Sequence, residues 1–330
     1  MTDLLMSELM ERHVAAVERF AGDGAPTWLP TVSVVIATHE RPELLRRALR
    51  SVLGQTYPGL REVVVVFDRT QIDPLDDIAV PYHVAVRTVA NSRTPGLAGA
   101  RNTGITAALG ELVAFCDDDD EWEPAKLTKQ VQLWQASPDA VAVAAGIRIQ
   151  TSDDSHVRIP PGRAGHADFL ASRITEIHPS GFLLRRSDLL GRVGLVDEEL
   201  PASYGEDYDL LLRATWFGDV VSVPEPLVVV HWNRTSFFSE RWQGIAAGLT
   251  YLLAKFPEFG TSRRGTARIA GQVAFAHGAL GARREAARWA IRALRRDVRQ
   301  MRAWAALAVA LRLVSAASLV DRVNRRGKGL

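Results

Sequence analysis

One cysteine, Cys116, is all that a chain of 330 residues carries, so no intrachain disulfide can form and a reducing cytoplasm is the compartment that fits. An excess of one charge is also missing. Forty Lys and Arg face 38 Asp and Glu, a formal net charge of +2, and no global field marks nucleic acid as a partner. Long apolar runs are lacking too: in the best stretch, 303–320, Arg312 interrupts the apolar residues, which argues against spanning a bilayer and leaves lying on its surface open. The opening MTDLLMSELMERHVAAVERF has acids and an early arginine where a secretory leader needs a basic start and an unbroken apolar stretch. It reads as a short amphipathic helix. Neither an internal repeat nor a low-complexity linker is visible.

What is present suffices for a full core, with 47% hydrophobic and 24% charged residues, and the length suits one large domain plus an addition. Three parts are expected: a helical segment over 1–29, a catalytic domain over 30–238 and a helical region over 239–330. Thr31 to Thr38 contains VSVVIA, β-branched and apolar, as in a strand buried on both faces. Pro42 then suits a first helical turn, and Leu44, Leu45, Ala48, Leu49, Val52 and Leu53 recur at helical spacing up to Gly54. Glu62 to Phe67 reads as a second strand, Ala98 to Ala108 as a helix, Glu111 to Cys116 as a third strand and Val141 to Ile149 as a fourth. Short helices follow at Ser187 to Leu190 and Asp207 to Phe217. This βαβ rhythm predicts an α/β fold with a mostly parallel sheet. Ligands in such sheets sit beyond the carboxyl ends of the strands, so Thr38 to Arg41, Asp68 to Thr70 and Asp117 to Glu121 should share one crevice.

The run Asp117, Asp118, Asp119, Asp120, Glu121 directly follows an apolar strand, and carboxylates crowded in this way raise one another's pKa unless a cation intervenes. Mg2+ or Mn2+ accepts such oxygen ligands and neutralises a departing diphosphate. A solvated acidic turn is the plainer explanation of the run alone; its position after a buried strand favours the metal. Glu206, Asp207 and Asp209 stand at a helix start, where the dipole favours carboxylates. Beyond capping, Asp207 is the choice for a base that takes a proton from an acceptor hydroxyl, with Glu206 in reserve. His231 ends the apolar run Leu227 to Val230 and offers an imidazole nitrogen to a metal, or serves structure only. Arg101, among the small residues of GLAGARNTGI, offers a guanidinium to phosphate oxygens, or a solvated helix surface. Asp68 could accept a hydrogen bond from a base or ribose, and His39 could stack on the base.

Together SVVIATHERPELLRRALRSVLGQTYP, GLAGARNTGI, VAFCDDDDEWEP and GEDYDLLLRA resemble, in order and spacing, the family-2 glycosyltransferases over about Val32 to His231. The resemblance implies a GT-A-like, Rossmann-type sheet flanked by helices with a helical C-terminal extension. It implies an inverting transfer of a sugar from a nucleotide-diphosphate sugar to a glycan, lipid-linked or small-molecule acceptor. By that likeness Ala37, His39, Asp68, Arg101, Asp117 and Asp118 line the nucleotide-sugar site, Asp119, Asp117 and His231 hold Mn2+ or Mg2+, and Asp207 is the base. Two departures bear on base recognition: Thr38-His39-Glu40-Arg41 replaces Thr-Tyr-Asn-Arg, and Phe67-Asp68-Arg69-Thr70 replaces paired aspartates with Gly-Ser. The competing readings are a non-catalytic nucleotide-sugar-binding scaffold and a nucleotidyltransferase. The absence of glycine from Thr38 to Pro42 counts against the second.

From Arg283 to Arg302 eight arginines face only Glu285 and Asp297, beside an apolar stripe of Ala287, Ile291, Leu294, Val298 and Met301. The expectation is peripheral contact with the inner face of an anionic membrane, where lipid-linked acceptors reside. The stripe packing on the catalytic domain is the alternative.

Overall fold

The computed structural model describes residues 29–151, 154–232 and 242–324, the last with side chains up to residue 320. The N-terminal helix expected within 1–29 lies outside these residues. The described chain divides into two compact units.

The first unit comprises the described residues up to Ala164, with Thr175–Val196 and Arg213–Trp232. Its strands are β1 (Val32–Thr38), β2 (Leu60–Phe67), β3 (Ala85–Ala90), β4 (Leu112–Asp117), β5 (Asp120–Trp122), β6 (Ala142–Gln150), β7 (Ser155–Arg158), β8 (Arg163–Ala164), β9 (Leu183–Arg185) and β10 (Val220–His231). They form one sheet in the order β3-β2-β1-β4-β9-β6-β10-β5, with β7 on β6 and β8 on β10. The long pairings, β1 with β2 and β4, β2 with β3 and β6 with β10, are parallel. Short β9 runs antiparallel between β4 and β6. The valine runs of β1 and β2 are buried throughout because helices cover both faces of a parallel sheet. β3 escapes a reading by apolar run because it lies at the sheet edge and is only partly buried.

The helix Pro42–Leu53 starts with its proline in the first turn and lays Leu45, Ala48, Leu49, Val52 and Leu53 on the sheet. The helix Leu97–Ala107 packs so closely that a Cβ on Gly104 would stand 2.2 Å from a methyl of Val35, and one on Gly99 would stand 1.9 Å from the Thr94 carbonyl oxygen. Glycine is needed there for the approach of chain to chain.

The second unit takes Gly165–Ile174 and Asp197–Leu212 together with the described residues beyond 241. Its parts are joined by polar contacts across sequence: Lys255 Nζ lies 2.6 Å from both Asp197 Oδ2 and Asp209 Oδ1, and Tyr208 Oη donates to the Phe169 carbonyl. The helices Trp242–Lys255, Arg263–Ala279, Arg283–Arg296, Met301–Ala310 and Ala316–Asn324 follow. Their core is mostly alanine: Ala270, Ala274, Ala290, Ala293, Ala303 and Ala306 surround Phe275. This corrects the expected stripe. The helix stops at Arg296, so Val298 and Met301 are not on it, and Ala286, Ala290 and Ala293 make its buried face while Ile291 is exposed. No helix among the described residues is long and apolar enough to cross a membrane. The apolar stretch from Ala303 breaks at Leu311, and a new helix begins at Ala316.

Candidate active site

Parallel register brings three strand ends level, since Thr38 pairs with Phe67 and Ala37 pairs with both Val66 and Asp117. The residues that follow these strands are therefore neighbours. Thr38 Oγ1 donates to Asp118 Oδ2 at 2.7 Å. Arg41 Nη1 donates to Asp118 Oδ1 at 3.2 Å and to Asp119 Oδ2 at 2.9 Å. His39 Nδ1 lies 2.6 Å from the Asp68 carbonyl oxygen. In the turns beyond β1 and β2, Glu40 and Arg69 adopt φ of 53° and 51°. Side chains seldom occupy that region, and such strain concentrates at functional sites.

Asp68 holds structure with both its oxygens. Oδ1 accepts from Asn91 Nδ2 at 2.8 Å, and Oδ2 accepts from the Gly96 amide and Arg69 Nε, each at 3.0 Å. Burial works against its charge, but these donors outweigh burial and keep its pKa low. The carboxylate thereby ties the end of β2 to the loop that leads into the helix Leu97–Ala107. On that helix Arg101 is buried rather than solvated, and its Nη2 donates to Asp117 Oδ1 at 2.5 Å.

The acidic run turns sharply into β5, which pairs antiparallel with β10. Burial raises the Asp118 carboxyl to about 6 against the Thr38 hydrogen bond, and the neighbouring Asp119 charge adds to the rise. Burial and then Asp117 raise Asp119. Asp120 is held well above the ordinary carboxylate range by burial, then by the Asp117 and Asp119 charges. Ser180 braces this corner, donating to Asp120 Oδ2 at 2.5 Å while its oxygen accepts from the Asp117 amide at 3.0 Å. Trp122 Nε1, on β5, donates to the Ser180 carbonyl at 2.8 Å and anchors the same turn.

An oxygen of Asp117, an oxygen of Asp120 and a nitrogen of His178 lie within 4.8 Å of one another. Two crowded carboxylates, that of Asp120 buried and raised in pKa, together with an imidazole, fit a divalent cation, and the mixed oxygen and nitrogen set suits Mn2+ better than Mg2+. His178 had no signal in the apolar pattern: it sits in the turn His178-Pro179-Ser180-Gly181, and only the fold brings it to Asp120. His231, expected on the metal, instead has Nε2 2.6 Å from Glu121 Oε1, an oxygen that also meets Arg47 Nε at 3.3 Å.

Asp207 belongs to the second unit. It is buried at the start of the helix Glu206–Ala214, just after Gly205 at φ 88°, and both its oxygens accept from Arg173 Nη2 at 2.8 Å. Burial disfavours the Arg173 charge, but Asp207 and Tyr204 outweigh it and raise its pKa. Glu206 is likewise buried beside it in sequence.

Residues 33–191 match the family described as Glycosyl transferase family 2, and this part of the chain is a family-2 glycosyltransferase domain. An uncharacterised glycosyltransferase of Nostoc sp. is 36% identical over 131 residues, which cover 38% of this chain and 39% of that one. The glucosyl-dolichyl phosphate glucuronosyltransferase of Haloferax volcanii is 35% identical over 126 residues, 35% of this chain and 38% of the relative. The matches thus span about two-fifths of the length of these curated relatives. The mannosyltransferase PcManGT of Pyrobaculum calidifontis, solved with GDP-Man and Mn2+, has the same fold, with a TM-score of 0.53 at 19% identity over 94% of this chain and 99% of that one. The architecture is therefore GT-A.

Proposed function

We propose that the protein transfers a sugar from a nucleotide-diphosphate sugar to an acceptor hydroxyl, with inversion at the anomeric carbon. The observation that carries this reading is the gathering of Asp117, Asp118, Asp119 and Asp120 with Thr38, Arg41, Arg101 and His178 at the ends of β1 and β4. Asp117 and Asp120 with His178 would hold Mn2+ or Mg2+, and Asp119, the most exposed of the four carboxylates, is the further ligand once Arg41 leaves it. His231 joins them only by giving up Glu121. When bound, the cation neutralises charge on the departing nucleoside diphosphate.

The chain's own groups do the rest. Ala37 and His39 line the nucleoside site, and Asp68 serves it by holding the 91–96 loop. Arg41 and Arg101 bind diphosphate oxygens, which compete with Asp117, Asp118 and Asp119 for the two guanidinium groups. Asp207 accepts the proton of the acceptor hydroxyl as its oxygen bonds to the anomeric carbon, and the bond from that carbon to the diphosphate breaks with its electron pair leaving on the nucleotide. Glu206 is the second carboxylate for this task. The acceptor class favoured is a lipid-linked sugar, on the strength of the Haloferax relative named for a dolichyl phosphate substrate.

Calorimetric titration with UDP-, GDP- and dTDP-sugars, with and without Mn2+, tests the reading. Metal-dependent binding of one nucleotide class, lost in Asp119→Ala, is the expected result. Binding of none removes sugar transfer in favour of a scaffold without turnover.

A further inference from the structure

The helices Arg283–Arg296 and Met301–Ala310 are each two-faced in a way that the fold of their own unit does not use. Successive residues turn by about 100° around a helix. On Met301–Ala310, Ala303, Ala306 and Ala310 are buried within an arc of about 60°, where they meet the helix Arg263–Ala279. A Cβ on Gly271 of that partner would stand 3.5 Å from the Ala303 amide, and one on Gly278 would stand 3.4 Å from the Ala306 carbonyl, so this side is closed by small residues at contact distance. Roughly opposite, Met301, Trp304, Ala308 and Leu311 follow one another at spacings of three, four and three. Of these, Met301 is 73% exposed, Trp304 50% and Leu311 69%, and Leu313 just beyond is 73% exposed. Large apolar side chains so open to water are costly to leave uncovered. Trp304 is also fixed in place, because its Nε1 donates to the Val298 carbonyl at 2.9 Å, and Val298 is itself 69% exposed.

On the preceding helix Ala286, Ala290 and Ala293 are buried, and the opposite side carries Arg284, Arg288, Ile291 and Arg295, all exposed. Arg296, Arg299 and Arg312 extend the positive charge along the same stretch, against Glu285 and Asp297 alone. Glu285 is engaged with Arg288 at 3.1 Å, and Asp297 Oδ1 accepts from the Arg299 amide.

We propose that the segment from Arg284 to Val314 docks this protein on an anionic lipid surface, with Val298, Met301, Trp304, Leu311 and Leu313 entering the interface and the arginines meeting lipid phosphates. The charge selects the partner. A second protein copy would cover the apolar side chains but leave like charges face to face, and a nucleic acid would satisfy the arginines but leave the apolar stripe in water. An anionic bilayer satisfies both, because its surface attracts cations and its acyl boundary accepts Trp, Met and Leu. The inference stands apart from the proposed sugar transfer, since it uses none of the site residues and its test needs no donor.

The test is sedimentation of the full chain with phosphatidylglycerol and phosphatidylcholine vesicles. Binding to the anionic vesicles that exceeds binding to neutral ones by at least about tenfold, and that weakens with salt, is expected. Replacing Arg284, Arg288 and Arg295 by Gln should weaken it by about fivefold for each arginine removed. Met301→Ser with Leu311→Ser should abolish it with the thermal melting of the variant unchanged. A second readout survives any loss of folding in that variant: brominated phosphatidylglycerol should quench tryptophan emission in the wild type and quench it less in Trp304→Phe. Equal binding to neutral vesicles, undiminished quenching in Trp304→Phe, a dimer that the two serines dissolve, or capture by RNA in place of vesicles would each overturn the proposal. Vesicle binding without sugar transfer would leave this inference standing and remove the enzymatic one; transfer without vesicle binding would do the reverse.

Discussion

Metal binding at the Asp117–Asp120 corner should be linked to protons, and the size of the linkage follows from the burial of its carboxylates. Burial raises Asp118 to about 6, so in the ion-free protein it is mostly ionised at pH 7 and mostly protonated at pH 5. A proton there must leave, or the cation must bind beside a neutral acid. Counting Asp118 alone, the apparent Kd for Mn2+ should weaken about tenfold from pH 7 to pH 5. Asp120, also raised by burial and by Asp117 and Asp119, should add to the protons released when the cation arrives. Calorimetric titration with Mn2+ at both pH values measures the first effect. Repetition at pH 7 in two buffers of different ionisation enthalpy counts the released protons. Asp118→Asn should flatten the profile by the same factor of about ten. The sign for stability is opposite to that of a salt-bridged aspartate: with its folded pKa above the unfolded one, Asp118 contributes stability at low pH that is lost as pH rises through 6. Mn2+ should therefore raise Tm more at pH 7.5 than at pH 5. A Kd that moves less than about twofold between pH 5 and 7, with heats independent of buffer, would refute the reasoning.

Asp207→Asn should lower the transfer rate by roughly 100-fold to 10,000-fold with donor affinity unchanged, as read from steady-state kinetics beside donor calorimetry; full activity discards the base assignment. Ser180→Ala strands the part-buried Asp117 amide and removes a donor from the buried Asp120, so urea unfolding should show a loss of about 1–3 kcal/mol. Gly99→Ala drives a Cβ to within 1.9 Å of the Thr94 carbonyl and should cost about 3 kcal/mol in the same assay. Lys126 is fully buried, with its Nζ 2.8 Å from Gln130 Oε1 and 3.7 Å from the centre of the Trp122 ring, and burial lowers its pKa to about 7. The folded state then binds fewer protons than the unfolded one above pH 7, so stability should rise by about 2 kcal/mol from pH 7 to 9 relative to Lys126→Met; parallel profiles would rule this out.

Some of the protein was legible in the sequence because the signal is local. VSVVIA and VVVV read as buried strands because β-branched apolar runs suit a sheet covered on both faces. Pro42 and the spacing from Leu44 to Leu53 marked the first helix, and the acids after Cys116 marked a strand's carboxyl end. Edge strand β3 and short β5, β7, β8 and β9 left no such mark: β3 is only partly buried, and strands of two to four residues are too short to show a period. The stripe drawn through Ile291, Val298 and Met301 failed for a related reason. Alanine, small and silent in an apolar pattern, forms the fully buried faces there, with Leu294 partly buried against them, while Ile291, Val298 and Met301 are exposed.

The sequence by itself determined the α/β order, the acidic run and the helical end of the chain, because strand pattern, turn residues and charge act over a few neighbouring positions. Tertiary structure alone decided which groups meet. It set Arg41 on Asp118 and Asp119 across the parallel register of β1 and β4, turned both oxygens of Asp68 to the 91–96 loop, and put His178, fifty-eight residues further along the chain, beside Asp120 while His231 went to Glu121. Those choices depend on pairing between distant segments, and residues brought together by the register of a sheet leave no periodicity in the sequence from which to read them.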